Sequence, residues 1–183
     1  LGYRLEFADG PDVVGPLLEA CDLEFSPESD GWEASKYLIA CTRAGGLAAC
    51  VGWTRRDDAV IIHSLAVAPS SRGSGVGHGL LATAMGHIMD KHPVKAFYLT
   101  TESGTARRMF ASMGFHIAED GELPEEVAEH PIFTSAVDYA KSMVRSYETK
   151  ARGLDNYAFR LILNDSPGAT LPLGGVFFFT QTG

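Results

Sequence analysis

The chain has 183 residues, 45% of them apolar and 21% charged, with a formal net charge of −8. That size and composition suit one core-forming domain with at most an appendage, and they exclude a disordered chain. The negative balance excludes general affinity for nucleic acid or acidic membranes, which needs clustered Lys and Arg, but not one phosphorylated ligand held by backbone N–H groups.

Residues 3–8 read as a first strand. Asp9-Gly10-Pro11-Asp12 supplies turn and helix-start chemistry, and Val13, Leu17, Leu18 and Cys21 follow at helical spacing. Residues 24–33 are polar and acidic and read as a loop or short helix, first as a solvated linker and second as a segment that borders a substrate pocket. Residues 36–42 read as a strand, Ala44-Gly45-Gly46 as a hairpin turn, and 47–54 as the returning strand. Asp57-Asp58 makes the next turn, 59–68 is a long apolar strand, and 69–77 is a Ser/Gly-rich loop. Val76, Leu80, Ala84 and Ile88, widened by Leu81 and Met85, predict a helix that His92-Pro93 ends. A strand at 96–101, a short helix at 105–113 capped by Gly114 and a strand at 115–118 follow. A short helix at 123–128 and a last core strand within 139–147 complete the domain.

This order predicts an α/β (α+β) fold, a mixed sheet with helices on both faces. Residues 1–150 form the domain and 151–183 a C-terminal extension. Within the extension, 157–163 and 176–179 read as the two strands of a β-hairpin. Left unpaired, they would expose strand edges, so they are expected to pair with the main sheet or with a second subunit, which points to a homodimer. Cys21, Cys41 and Cys50 lack C-x-x-C spacing and leave one thiol over in any disulfide scheme, which fits a reducing compartment. The six histidines lack metal-ligand spacing, so no metal is expected. No apolar run reaches the roughly 18 residues of a transmembrane helix. The opening Leu1-Gly2-Tyr3-Arg4-Leu5-Glu6 has no signal-peptide character, and a cytoplasmic location is expected by default.

The chemistry concentrates in Arg72-Gly73-Ser74-Gly75-Val76-Gly77, which follows a strand and opens a helix. Glycines permit positive φ and a close ligand approach, and the first helical turn leaves N–H groups unpaired, so the segment can cradle a phosphate or pyrophosphate. It lacks the G-K-[ST] ending of a P-loop and does not follow the first strand, as a dinucleotide fingerprint would. Alone, it reads equally as a flexible Gly/Ser turn.

The longer run Leu65-Ala66-Val67-Ala68-Pro69-Ser70-Ser71-Arg72-Gly73-Ser74-Gly75-Val76-Gly77 resembles the acetyl-CoA motif of the GNAT superfamily of N-acetyltransferases. Its R/Q-x-x-G-x-G/A pattern is met by Arg72, Gly75 and Gly77. Phe110-Ala111-Ser112-Met113-Gly114-Phe115 resembles the superfamily's aromatic-x-x-x-G-F segment. The resemblance implies a mostly antiparallel central sheet flanked by helices, with acetyl-CoA as cosubstrate. Pantetheine would lie beside Leu65, Ala66 and Val67, in a cleft between the strand ending near Val67 and the one from Ala96. The pyrophosphate would rest on Arg72, Gly73, Ser74, Gly75, Val76 and Gly77, with further cofactor contacts from Ser103, Ala106 and Phe110. A narrower likeness, carried by Tyr98-Leu99-Thr100-Thr101, Gly114-Phe115, Leu123-Pro124 and Phe133, is to the arsenic-resistance N-acetyltransferases, which act on small amino-acid-like amines. Where those relatives carry Cys-Pro-x-Ser-Ala, this chain has Val137-Asp138-Tyr139-Ala140-Lys141.

Direct transfer requires a neutral amine nucleophile, and neutralising one of lysine-like pKa at pH 7 costs about 4–5 kcal/mol. A base with a pKa of about 6.5 helps to meet that demand. His63, in His63-Ser64-Leu65-Ala66-Val67, resembles one of two active-site histidines of the arylalkylamine N-acetyltransferases; the other position is Ile61. It is the first candidate base, and a hydrogen-bonded core histidine is the alternative. Glu102 is the second candidate, set against an ordinary solvated carboxylate. Many relatives use a tyrosine acid where this chain has Phe110, which has no proton to give. Two further readings stand beside acetyl transfer to a small-molecule amine: a non-catalytic acyl-CoA-binding or partner-docking module, and a transferase for a longer acyl-CoA.

Overall fold

The computed structural model describes residues 2–147. The hairpin expected within 151–183 lies outside the described residues. The chain opens with β1 (Arg4–Phe7), a 3-10 turn at Pro11–Val13 and α1 (Gly15–Ala20). β2 (Lys36–Cys41), β3 (Leu47–Arg56) and β4 (Ala59–Val67) follow, and a second 3-10 turn, Pro69–Ser71, leads into α2 (Val76–Lys91). Then come β5 (Ala96–Thr101), α3 (Gly104–Ser112), β6 (His116–Ile117), α4 (Glu125–Ala128), α5 (Pro131–Thr134) and β7 (Lys141–Ser146). No helix among the described residues is long and apolar enough to cross a membrane.

The strands form one sheet in the order β1-β2-β3-β4-β5-β7-β6. Every neighbouring pair is antiparallel except β4 with β5. Between those two the chain crosses over through α2, and a parallel pair needs such a long connection. The mixed, mostly antiparallel sheet is the one expected.

Helices cover both faces. On one, Val60, Ile62, Phe97 and Leu99 pack against Leu80, Leu81, Ala84 and Ile88 of α2 and Phe110 of α3. Each of these side chains larger than alanine contributes about 1.5–3 kcal/mol by leaving water. On the other, α1 sets Leu17 and Leu18 against Tyr37, Ile39 and Cys50. Beside it, Val127 and Phe133 close over Ile61, Ala96 and Tyr98.

Two elements differ from expectation. The strand at 115–118 shrinks to His116–Ile117, because Phe115 turns into the core, 3% exposed, with its ring centroid 5.8 Å from that of Phe110. Helix α5 is additional. At four residues it is too short to show a 3.6-residue period; its signals are local, Pro131 at its start and a His130 side chain that accepts the Ile132 N–H.

Candidate active site

The site begins as a parting in the sheet. β4 and β5 pair only from Ala59–Ala96 to Ile61–Tyr98. Beyond that point β4 stays with β3 and β5 stays with β7, through Val67 and Thr101 respectively. Two strand edges therefore face each other across a wedge, each with backbone N–H and C=O groups not used by the other.

A bulge shapes one wall. The β3–β4 register shifts between Cys50 and Gly52, so Ser64 and Leu65 together oppose Val51. Ser64 holds φ at 55°. One extra residue reverses the alternation of faces. Ile61 packs on the α4 side, whereas after the bulge Ala66 faces α1, and Leu65 and Val67 pack towards α2.

The glycine loop closes the end of the wedge. Gly73 and Gly75 have φ of 77° and 83°, the left-handed region, and a Cβ at either would meet nothing within 4 Å. They are glycine for conformation and for open approach, not for lack of room. Gly77 differs: a Cβ there would lie 2.9 Å from Val67 Cγ2, so it lets the first turn of α2 sit against the end of β4. Ser74 Oγ donates to the Ser71 carbonyl at 2.5 Å and accepts the Val76 N–H at 3.3 Å. The Gly79 N–H bonds back to the Gly75 carbonyl. The N–H groups before it in the first turn have no carbonyl four residues back within the helix, and of these the Val76 N–H is taken by Ser74 Oγ. Arg72 does not point away from the strands. Its Nε donates to the Val67 carbonyl at 3.2 Å, and Nη2 lies 3.7 Å from Cys21 Sγ.

The remaining predicted cofactor contacts take distinct places. Leu65 and Val67 lie on the parted edge of β4, and Ala66 points to the α1 side. Ser103 caps α3, its Oγ accepting the Ala106 N–H at 3.1 Å. Ala106 packs at the rim of the α2-side core, and Phe110 is inside it, 5% exposed.

His63 lies on the α4 side of β4, just before the bulge, and is 6% exposed. Its Nε2 is 2.9 Å from Ser35 Oγ and its Nδ1 is 2.9 Å from Ser64 Oγ. The Tyr37 ring meets it edge-on at 5.9 Å between centroids. Burial first, and His130 second, lower its pKa to about 3. That departs from the expectation of a base titrating near neutrality: a ring taken out of water holds a full positive charge poorly. Glu102 is exposed at the end of β5 and accepts the Tyr139 hydroxyl at 2.8 Å.

Sequence reasoning missed three participants. Ser35 ends a polar loop with no motif around it. Gly52 is hidden in a strand, yet a Cβ there would lie 2.6 Å from His63 Cε1 and 2.7 Å from Tyr37 Cε1. His130, 1% exposed, packs edge-on against Trp32 at 5.2 Å between centroids, and its burial lowers its pKa as well. Only the fold brings residues so far apart in sequence to one face.

A parted parallel pair ending in a glycine loop at a helix N-terminus is an arrangement that can hold an extended, phosphorylated ligand. Residues 33–117 match the family described as acetyltransferase (GNAT) domain. Mycothiol acetyltransferase of Thermobifida fusca (strain YX) is 27% identical over 135 residues, 66% of this chain and 41% of that protein. N-acetylglutamate synthase from Neisseria gonorrhoeae, in complex with coenzyme A and N-acetyl-glutamate, superposes with a TM-score of 0.58 at 19% identity. That alignment covers 79% of this chain and 35% of the synthase. An acetyltransferase of GNAT family from Staphylococcus aureus Mu50 superposes at 0.59 with 12% identity, over 79% of this chain and 100% of its own. At these identities the two solved structures bear on the fold alone. The chain spans less than half the length of the mycothiol acetyltransferase and of the synthase.

Proposed function

We propose that the chain is an acetyl-CoA-dependent N-acetyltransferase that moves an acetyl group directly to the primary amine of a small, amino-acid-like molecule. The observation that carries this reading is the parting of β4 from β5 beyond Ile61 and Tyr98, with the glycine loop at its end. Free strand edges suit the amides of a pantetheine arm, and the loop N–H groups suit a pyrophosphate. Arg72 now covers the Val67 carbonyl, one of the groups pantetheine would use. Turning outward, its guanidinium would free that carbonyl and meet a phosphate. The coenzyme A in the synthase complex and the name of the Thermobifida relative support the donor.

The acceptor would approach from the opposite face, where Ser35, Tyr37, His63 and Trp32 gather. Glu102, exposed at the end of β5, offers a carboxylate to an ammonium group, and the net charge of −8 favours a cationic acceptor. Two measurements test the reading. Thiol release from acetyl-CoA across a panel of amines should show acceptor-dependent turnover; binding without turnover for every amine would mark a non-catalytic acyl-CoA module. Gly75→Glu should greatly weaken acetyl-CoA binding by calorimetry, because its side chain and charge enter the space reserved for phosphate. Equal affinities in wild type and variant would remove the loop from the donor site.

A further inference from the structure

His63 is the buried centre of a three-membered chain, Ser35–His63–Ser64. Each ring nitrogen lies 2.9 Å from a serine hydroxyl. The ring is buried while both serines are half-buried, so the hydroxyls are its routes outward. Ser64 sits in the β4 bulge, next to Leu65 on the parted edge. Ser35 sits just before β2, where the loop from α1 ends. The ring cannot drift: Tyr37 packs edge-on against it, and Gly52 approaches so closely that no Cβ fits.

A hydroxyl can accept one proton while giving up another, and a neutral imidazole has one N–H and one bare nitrogen. The chain thus holds every proton and lone pair needed to pass a proton from one end to the other. The ionisable groups around it stay uncharged. Burial raises Tyr37 on β2, raises Cys50 on β3 to about 12, and lowers His130 before α5. None of them supplies a negative charge to stabilise an imidazolium. Transfer by exchange of tautomers avoids making one.

We propose that Ser64, His63 and Ser35 form a proton relay that removes the amine proton and returns one to the leaving sulfur, with the imidazole neutral before and after each transfer. This rests on the acetyl-transfer reading above. As the amine nitrogen bonds to the thioester carbon, its proton passes to Ser64 Oγ. The Ser64 hydroxyl proton moves to His63 Nδ1, the Nε2 proton moves to Ser35 Oγ, and the Ser35 proton goes to water. The C–S bond breaks and its electron pair stays on sulfur. The reverse shift takes a proton from water through Ser35 to Nε2 and sends the Nδ1 proton through Ser64 to the thiolate. The products are the amide and the free thiol of coenzyme A, and the ring is back in its first tautomer. Phe110 then needs no acidic replacement.

The test uses Ser35→Ala and Ser35→Thr, assayed by thiol release with an amine the wild type accepts, in water and in mixtures with heavy water. Ser35→Ala is expected to lower kcat by about 10², the lower end for one acid–base group, with the KM for acetyl-CoA unchanged. Ser35→Thr keeps the hydroxyl and should restore most of the rate. The wild-type rate should fall non-linearly with deuterium fraction, since several protons move together, and that curvature should vanish in Ser35→Ala. A Ser35→Ala protein with wild-type kcat overturns the relay and leaves acetyl transfer standing. A slow variant that keeps the wild-type curvature also overturns it, because Ser35 then only holds the ring. A wild type inert towards every amine overturns the acetyl-transfer reading itself.

Discussion

His63 ties the stability of the protein to pH. Its pKa is lowered from 6.5 to about 3 in the folded state, so the unfolded chain binds a proton that the native ring refuses. The contribution of this group is complete above pH 6.5 and is lost as pH falls from there towards 3. At pH 5 the loss is roughly 2 kcal/mol. His130 acts in the same direction, since burial lowers its pKa too. Urea unfolding at pH 7 and pH 5 should therefore show a smaller stability difference in His63→Gln than in the wild type. Identical differences would place the acid sensitivity elsewhere. Gly52 makes a steric prediction about the same ring. Gly52→Ala puts a methyl group 2.6 Å from His63 Cε1, so ring or strand must move. Overpacking of this kind costs about 1–3 kcal/mol, and turnover should fall with it because both hydroxyl contacts depend on the ring's place. Wild-type stability and kcat in this variant would show that the ring has room to yield.

At the scale of elements, what matters is where pairing stops and where helices start. β4 and β5 run parallel for three residue pairs and then separate, and α2 begins at the end of the resulting wedge. Gly77 keeps that arrangement tight by letting α2 touch Val67. α3 begins at the far side, with Ser103 as its cap. The cap satisfies one orphan N–H, so Ser103→Ala should lower stability by about 1 kcal/mol in a denaturant titration. Ser103→Asp should recover it, because a carboxylate also accepts the Ala106 N–H and suits the helix dipole. If Ser103→Ala weakens acetyl-CoA binding more than it weakens the fold, the hydroxyl serves the donor as well as the helix.

The whole molecule sorts its three thiols by depth. Cys41 and Cys50 are buried, while Cys21 is half-buried near Val67 and Arg72. A thiol reagent needs access and a thiolate, and burial denies Cys50 both by raising it to about 12. In the folded protein Cys21 should react first, with Cys41 and Cys50 reacting only on unfolding. Saturating acetyl-CoA should slow Cys21, because the donor would pass the carbonyl to which its sulfur donates. Mass spectrometry of labelled peptides measures both effects. Labelling of Cys21 that ignores acetyl-CoA would move the donor away from this end of β4.

The sequence alone carried the order of the strands and of every helix but α5, the mixed sheet and the glycine loop. Each is written in local patterns: apolar alternation in β4, helical spacing from Val76 to Ile88, and glycines where positive φ is required. It also singled out His63, by its place before Leu65-Ala66-Val67. Tertiary structure alone decided what surrounds that histidine. Ser35 is 28 residues away and His130 is 67 positions further on, and no periodicity links them. The bulge at Ser64 likewise comes from a register mismatch between two strands, not from the composition of either one. The ring's low pKa follows from the same cause. Protonation depends on how much water and charge reach a side chain, and those are set by what the rest of the chain packs around it.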